Sequence, residues 1–277
     1  MSEEFTYEPD KIGEWSERKI RIVTKYATAY SKILAAQPYL KHYYIDGFTG
    51  GGHAVLKDTG ETVETTARRI LAIEPPFVGY HLVDADPDKA QAMRPACASR
   101  SQAAAYCDDA NRILPKIFAR ISYFDYQRAL CFLDPYKVLL SWDVLAAAAA
   151  NRALEAFIHF PTGDVQRNML RRDPAAVSAA EIERMNAMWG DGSWRDAGYT
   201  ERATLFGPET VKQDIDVLLD AFATRLRSAG FTHVSRALPM RNSSNAILYH
   251  LFFATHNRTA IRIAEDILKA ESFPKAR

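Results

Sequence analysis

Through the first 160 residues, short runs of aromatic and β-branched side chains alternate with helical stretches, and the first four runs end in aspartate. The first strand is expected over Lys41 to Asp46 and the second over Phe77 to Val83, stopping at Asp84-Ala85-Asp86-Pro87. A third over Ala103 to Cys107 ends in Asp108-Asp109, and a fourth over Ala129 to Leu133 ends in Asp134-Pro135-Tyr136. A fifth is expected over Ala153 to Phe160. Helices fit between them at Thr65–Ile73, Asp88–Ala98, Asn111–Ile121 and Trp142–Asn151. Alternation of this kind predicts an α/β fold: a mostly parallel sheet with helices on both faces.

The flanking segments complete the domain. Trp15 to Leu34 predicts a leading helix with Ile20, Val23, Ala27, Tyr30 and Leu34 on one face and Ser16 as N-cap. Val55 to Val63 reads as irregular, with a turn at Asp58-Thr59-Gly60. Asp164 to Thr210 breaks the rhythm and reads as a helical insertion, a cap or lid. A helix over Thr210 to Ala229, stopped by Gly230, follows. Two strands, Thr232–Met240 and Ala246–Thr255, then pair across the turn Arg241–Asn245, which makes the last strand antiparallel. A helix over Thr259–Leu268 closes a single domain spanning 1–277.

A formal net charge of +1 gives no bulk attraction to nucleic acid, so such binding has to come from local patches. One basic run, Arg18, Lys19, Arg21, Lys25 and Lys32, has the ordinary reading of a solvated helix face. Cys97, Cys107 and Cys131 are odd in number and form no CxxC, as expected of reduced packing residues in a cytoplasmic protein. The acidic stretch Met1 to Asp10 does not read as a signal peptide, and no apolar run approaches membrane-spanning length.

In open α/β sheets, ligands bind beyond the carboxyl ends of the strands. Aspartate is common in turns and caps, so one such end means little, whereas four in register mean more. The loop after the first strand carries Gly47, Gly50, Gly51 and Gly52, which allow close backbone approach to a ligand. It lacks the Gly-Lys-Ser/Thr ending of a Walker loop and the Gly-x-Gly-x-x-Gly spacing. A carboxylate at Asp46 repels pyrophosphate but attracts a sulfonium cofactor that also bears an ammonium group.

Asp46-Gly47-Phe48-Thr49-Gly50-Gly51-Gly52 resembles the Asp-x-Phe-x-Gly-x-Gly loop of class I, Rossmann-like methyltransferases that use S-adenosyl-L-methionine. The resemblance implies that Asp46, Gly47, Phe48, Gly50 and Gly52 surround the methionine moiety. Asp84, assisted by Asp86, then holds the ribose hydroxyls, and Asp109-Ala110 meets the adenine amine. Asp134-Pro135-Tyr136 is similar to the Asp-Pro-Pro-Tyr motif that orients a planar exocyclic amine, with one proline missing and Lys137 following. A wider resemblance joins Lys19-x-x-Ile22-Val23-x-x-Tyr26, the glycine loop, Phe132-Leu133-Asp134-Pro135-Tyr136, Phe160-Pro161 and the Trp189-to-Trp194 segment. It points to the three-Cys-motif partner proteins and implies a partner with three conserved cysteines, a motif that Cys97, Cys107 and Cys131 do not form.

These readings predict methyl transfer to a nucleic-acid base amine, with Asp134 binding or deprotonating the acceptor and Tyr136 stacking on it. Arg167, Arg171, Arg172, Trp189 and Trp194 of the insertion are candidates for phosphate and base contacts, against a plainer role for the tryptophans in packing. Asn168 lies close enough in sequence to line the pocket. His159, His250 and His256 read as core or pocket-edge histidines, because no second ligand stands at metal spacing. Two alternatives stay open: a small-molecule or protein methyltransferase, and a non-catalytic subunit of the same fold.

Overall fold

A computed structural model describes residues 7–100, 102–205 and 207–272. The expectation for Met1 to Thr6 lies outside the described residues. The chain opens with β1 (Asp10–Ile12), α1 (Glu14–Ala35), β2 (Lys41–Asp46), β3 (His53–Leu56), β4 (Thr62–Glu64) and α2 (Thr66–Leu71). Then come β5 (Gly79–Asp84), α3 (Pro87–Ala98), β6 (Ala103–Cys107), α4 (Ala110–Phe118), β7 (Gln127–Leu133), α5 (Trp142–Ala150) and β8 (Leu154–Phe160). The insertion holds a short α6 (Thr162–Asp164), a π-helical turn (Val165–Met169), a 3-10 turn (Pro174–Ala176), α7 (Ala179–Trp189), α8 (Trp194–Gly198), β9 (Tyr199–Thr204) and β10 (Gly207–Lys212). The closing elements are α9 (Ile215–Ala229), β11 (His233–Val234), β12 (Leu238–Arg241), β13 (Ile247–Thr255) and α10 (Arg258–Ser272).

The main sheet runs β6-β5-β2-β7-β8-β13, with β11 and β12 both pairing β13 at the far edge. The first five strands are parallel, and β13 is antiparallel to β8. A mostly parallel sheet with a reversed last strand is what the sequence predicts. Alternate residues of each strand face opposite layers, as a pleat with period two requires. Ile45, Val83, Cys131, Leu133, Ile158 and Phe160 point to the side holding α4, α5 and α9. Tyr44, Leu82, Leu130, Phe132, Phe157 and Phe253 point to the side of α1, α2 and α10. Each large side chain buried this way contributes roughly 1.5–3 kcal/mol, and both faces are covered.

Four expectations are corrected. The Val55–Val63 stretch is ordered: β3 pairs antiparallel with β4 and parallel with β1, forming a small separate sheet around the expected turn. Thr210 belongs to β10, not to a helix, and β9 and β10 form an antiparallel hairpin within the insertion. Its alternating Thr, Arg and Glu residues carry almost no apolar signal, which is why the strands were illegible. Asp214, whose side chain accepts from the Asp216 amide at 3.0 Å, starts α9 instead. The expected strand Thr232–Met240 is broken, because Ser235 uses its hydroxyl as well as its amide to pair with Phe253. Ser16 does not cap α1; Gly13 stands at that position without a side-chain bond. Among the described residues, no helix is long and apolar enough to cross a membrane.

Candidate functional site

The carboxyl edge of the parallel strands collects the predicted residues in a row. In strand order they are Asp109 after β6, Asp84 at the end of β5, Asp46 at the end of β2, and Asp134 after β7. The glycine loop rises from β2 in the middle of that row.

Asp46 is only 1% exposed. Its carboxylate accepts from the Phe48 amide at 3.0 Å and the Tyr44 hydroxyl at 2.9 Å, so it supports the loop from beneath. Burial pushes its pKa up to about 7. Gly50 and Gly52 both have positive φ (+69° and +93°), which L side chains rarely adopt. Close approach at three of the glycines is made by the protein itself. Gly47 packs over Leu114 and Leu133, Gly51 under the ring of Tyr7, and Gly52 against the sulfur of Met93. Only at Gly50 is the nearest neighbour, the Thr65 methyl, at ordinary contact distance. The Tyr7 hydroxyl accepts from the His53 amide at 2.9 Å and holds the ring in place. Thr65 stands at the start of α2, and its buried Oγ1 has no hydrogen-bond partner among the described residues.

Asp84 is half-buried. Its Oδ2 accepts from the Gly50 amide at 2.7 Å and its Oδ1 from the Asp86 amide at 2.9 Å. Each oxygen keeps lone-pair capacity for a ligand hydroxyl. Asp86 caps α3, accepting from Asp88 and Lys89, and Asp109 caps α4, accepting from Asn111 at 2.7 Å. Both are exposed, and Ala110 is buried in the first turn of α4.

Asp134 sits between two partners that come from different elements. Lys19 of α1 pairs with its Oδ2, and His159 of β8 approaches its Oδ1 through Nδ1 at 2.6 Å. Lys19 lies over the rings of Phe132 and Tyr249, and the His159 ring packs 4.1 Å from that of Tyr249. The Lys19 ammonium and the His159 hydrogen bond hold the Asp134 carboxyl well below the usual range, overriding a burial effect of opposite sign. Burial pushes Tyr249 up to about 12.

Pro135 is buried, whereas Tyr136 is 84% exposed, so Tyr136 is not a packed strand-end tyrosine. Val138, just beyond, donates its amide to Asp164 at 3.3 Å; Asp164 also accepts from Asn168 Nδ2 at 2.6 Å. The insertion is therefore anchored to the loop that carries Tyr136. Its tryptophans are core: Trp189 and Trp194 are buried, with their ring N–H groups donated to Ser193 and Asn186. This removes both as stacking platforms. Arg167 and Arg172 remain exposed, while Arg171 is partly held by the Asn168 carbonyl and Glu181.

The fold joins three side chains that stand far apart in the sequence: Lys19 of the basic run, Asp134 just after β7, and His159 inside an apolar strand. The signal for Lys19 and His159 was present: a lysine on the apolar side of α1, and a histidine interrupting a buried strand one residue from its end. Three other members of the basic run converge on Glu271 of α10: Arg21 at 2.8 Å, Lys25, and Arg18 through the carbonyl. Cys97 and Cys131 are buried as expected, but Cys107, at the end of β6, is exposed; none is paired. His250 is a satisfied core histidine bonded to Thr162. Among the described residues, no group of three His, Cys, Asp or Glu could hold a metal.

No family model matches the chain. No curated protein matches it in sequence. In fold it is similar to the crystal structure of protein LPL1258 from Legionella pneumophila str. Philadelphia 1, of family model DUF519. The TM-score is 0.50 at 10% identity, over 90% of each chain, a likeness of α/β architecture alone.

Proposed function

We propose that this chain is a Rossmann-like, S-adenosyl-L-methionine-dependent methyltransferase acting on an exocyclic amine of a nucleic-acid base. The observation that carries the reading is the fastening of the glycine loop to the neighbouring strand end: the Gly50 amide bonds to Asp84 at the carboxyl edge of the sheet. The strand order, with β13 reversed beside β8, supports the same reading.

The residues present fit a cationic nucleoside. Asp84 has spare acceptor capacity for vicinal hydroxyls, and Thr65 Oγ1 lacks a partner beside the one glycine left open. Asp109 and Ala110 stand one strand further, where an adenine amine would be met. Phe48 belongs to the loop, and the Asp46 carboxyl braces it from beneath. When bound, the cofactor supplies a methyl group already activated for displacement from sulfur. The chain's own tasks are to orient the acceptor and exclude water. Tyr136 offers an exposed ring for a base to stack on, with the Lys137 ammonium 5.5 Å from its centroid, and the buried Pro135 fixes its backbone. The resemblance to three-Cys-motif partner proteins adds a second protein acting with this one.

Calorimetry with S-adenosyl-L-methionine tests the cofactor site, and a folded chain that binds none overturns the reading. Mass spectrometry of nucleic acids from cells with and without the gene and its neighbour tests the acceptor. A second reading, a protein or small-molecule acceptor, is favoured by the Glu271 cluster, whose single carboxylate ties up Arg21 and Lys25 of the basic run on α1. Nucleic-acid binding without a measurable salt slope favours that alternative.

A further inference from the structure

The geometry points to His159 Nε2 as the group that takes the proton released by the acceptor. This inference rests on the methyltransferase reading and assigns that site its base. His159 is the penultimate residue of β8, and β8 runs beside β7, whose end carries Asp134. The Asp134 carboxylate can only accept, so the 2.6 Å contact places the ring hydrogen on Nδ1. The lone pair then resides on Nε2. Among the described residues Nε2 makes no hydrogen bond, and it is not among the polar atoms sealed from solvent without a partner. An imidazole fixed by a carboxylate on one nitrogen and free on the other is built to receive a proton.

The neighbouring titratable groups are poor alternatives. Asp134 has one oxygen on Lys19 and the other on His159, and its acidity is held far from neutrality. Asp46, pushed up to about 7, turns both oxygens toward Tyr44 and the Phe48 amide under the loop. Tyr249 on β13, at about 12, keeps its proton, as does Lys19 on α1, whose basicity the carboxylate raises. Arg18, beside Tyr249, adds a second fixed positive charge. Burial and Lys19 together lower the basicity of His159 despite Asp134, which leaves the ring neutral at neutral pH. His159 is the group here with a free ring nitrogen and a neutral resting state, so the assignment stands on that geometry.

The step balances. The acceptor nitrogen forms a bond to the donor's methyl carbon, the carbon–sulfur bond breaks with its electron pair remaining on sulfur, and the N–H proton passes to Nε2. Asp134 stabilises the imidazolium, and Lys19 keeps Asp134 ionised throughout. A base at this point suits acceptors that are weak nucleophiles until the proton leaves, such as the conjugated exocyclic amines of nucleobases.

The test combines ring-15N histidine NMR of the full chain, with S-adenosylhomocysteine as the binding probe, and transfer from tritiated S-adenosyl-L-methionine to total nucleic acid from cells lacking the gene. The His159 signal, identified by its loss in H159N, is expected to be neutral at pH 7 with hydrogen on Nδ1, and to protonate only below about pH 6.5. H159N keeps a donor for Asp134 and H159Q reaches the Nε2 position, yet neither is a base. Both are expected to bind S-adenosylhomocysteine like the wild type and to transfer methyl at least about 100-fold more slowly, without the wild-type acidic limb of the pH profile. Hydrogen on Nε2, an imidazolium at pH 7, or a variant retaining more than a tenth of the rate overturns the assignment. If neither variant folds, the wild-type tautomer and pH profile decide alone. A folded wild-type chain that binds no S-adenosylhomocysteine, or that binds it and transfers to no nucleic acid, overturns the acceptor reading itself and this inference with it.

Discussion

The amide of Gly50 and the carboxylate of Asp84 are 2.7 Å apart, so the glycine loop of one strand is fixed to the acidic end of the next. A ligand there meets a carboxylate already oriented by two backbone amides. Asp84→Ala is expected to weaken S-adenosyl-L-methionine binding by about 1.5–3 kcal/mol, the usual cost of losing charged hydrogen bonds. Calorimetry on a variant with an intact melting transition checks this, and unchanged affinity removes Asp84 from the site. Asp214→Ala is the control: loss of the α9 cap should cost about 1 kcal/mol of stability and leave affinity nearly intact.

Lys19 is buried against Asp134, and removing one partner strands the other. Lys19→Met is expected to destabilise the fold by about 3 kcal/mol. Lys19→Met combined with Asp134→Asn should recover most of that loss in urea denaturation. A double-variant loss equal to the sum of the two single-variant losses would show that the two residues are not coupled.

Trp194 fills the centre of the insertion and donates its ring N–H to Asn186. Trp194→Ala should cost about 3–5 kcal/mol. Cofactor affinity in the folded variant should stay unchanged, because none of its contacts reaches the glycine loop. Loss of affinity at full stability would restore the tryptophan as a ligand contact.

Burial pushes both Asp46 and Glu155 up to about 7, Glu155 while accepting from Tyr26 at 2.5 Å. The folded state then binds these protons more tightly than the unfolded chain does, so stability falls as pH rises from the ordinary carboxylate range toward 7. Asp134, shifted the opposite way, contributes stability that is lost as pH falls below the ordinary carboxylate range. Glu155→Gln keeps an acceptor for Tyr26 and should reduce the downward slope between pH 4.5 and 7, by up to about 1.4 kcal/mol per pH unit. Urea midpoints across that range measure it; an unchanged slope excludes Glu155 as a source.

Tyr136 touches little of the fold, so Tyr136→Ala should leave the melting temperature in place. If the acceptor is a base, its affinity should fall by about 1–3 kcal/mol. Fluorescence titration with oligonucleotides reads the difference.

The strands of the main sheet were legible because their apolar runs are buried on both faces and their ends carry Asp46, Asp84, Asp109 and Asp134. The β9–β10 hairpin was not, because it buries almost nothing and its residues alternate without an apolar face. At the candidate site, each acidic end could be named in advance, but its use could not. Whether Asp86 and Asp109 cap helices depends on where α3 and α4 begin, within a residue or two. The joining of Lys19, Asp134 and His159 depends on contacts across 115 and 25 positions of chain, which no local pattern encodes. Tyr7 over Gly51 is a similar case: the glycine is legible, but the ring that requires it comes from 44 positions earlier, in a segment with no strong pattern.

Glu271 acts as a counter-ion for Arg21 and Lys25 on another helix, and its carbonyl takes Arg18. A chain shortened before that residue would present three unmatched cations in a cluster. Such a protein would adhere to any polyanion, and pull-downs made with it would report an artefact of the trimming rather than a property of the intact molecule.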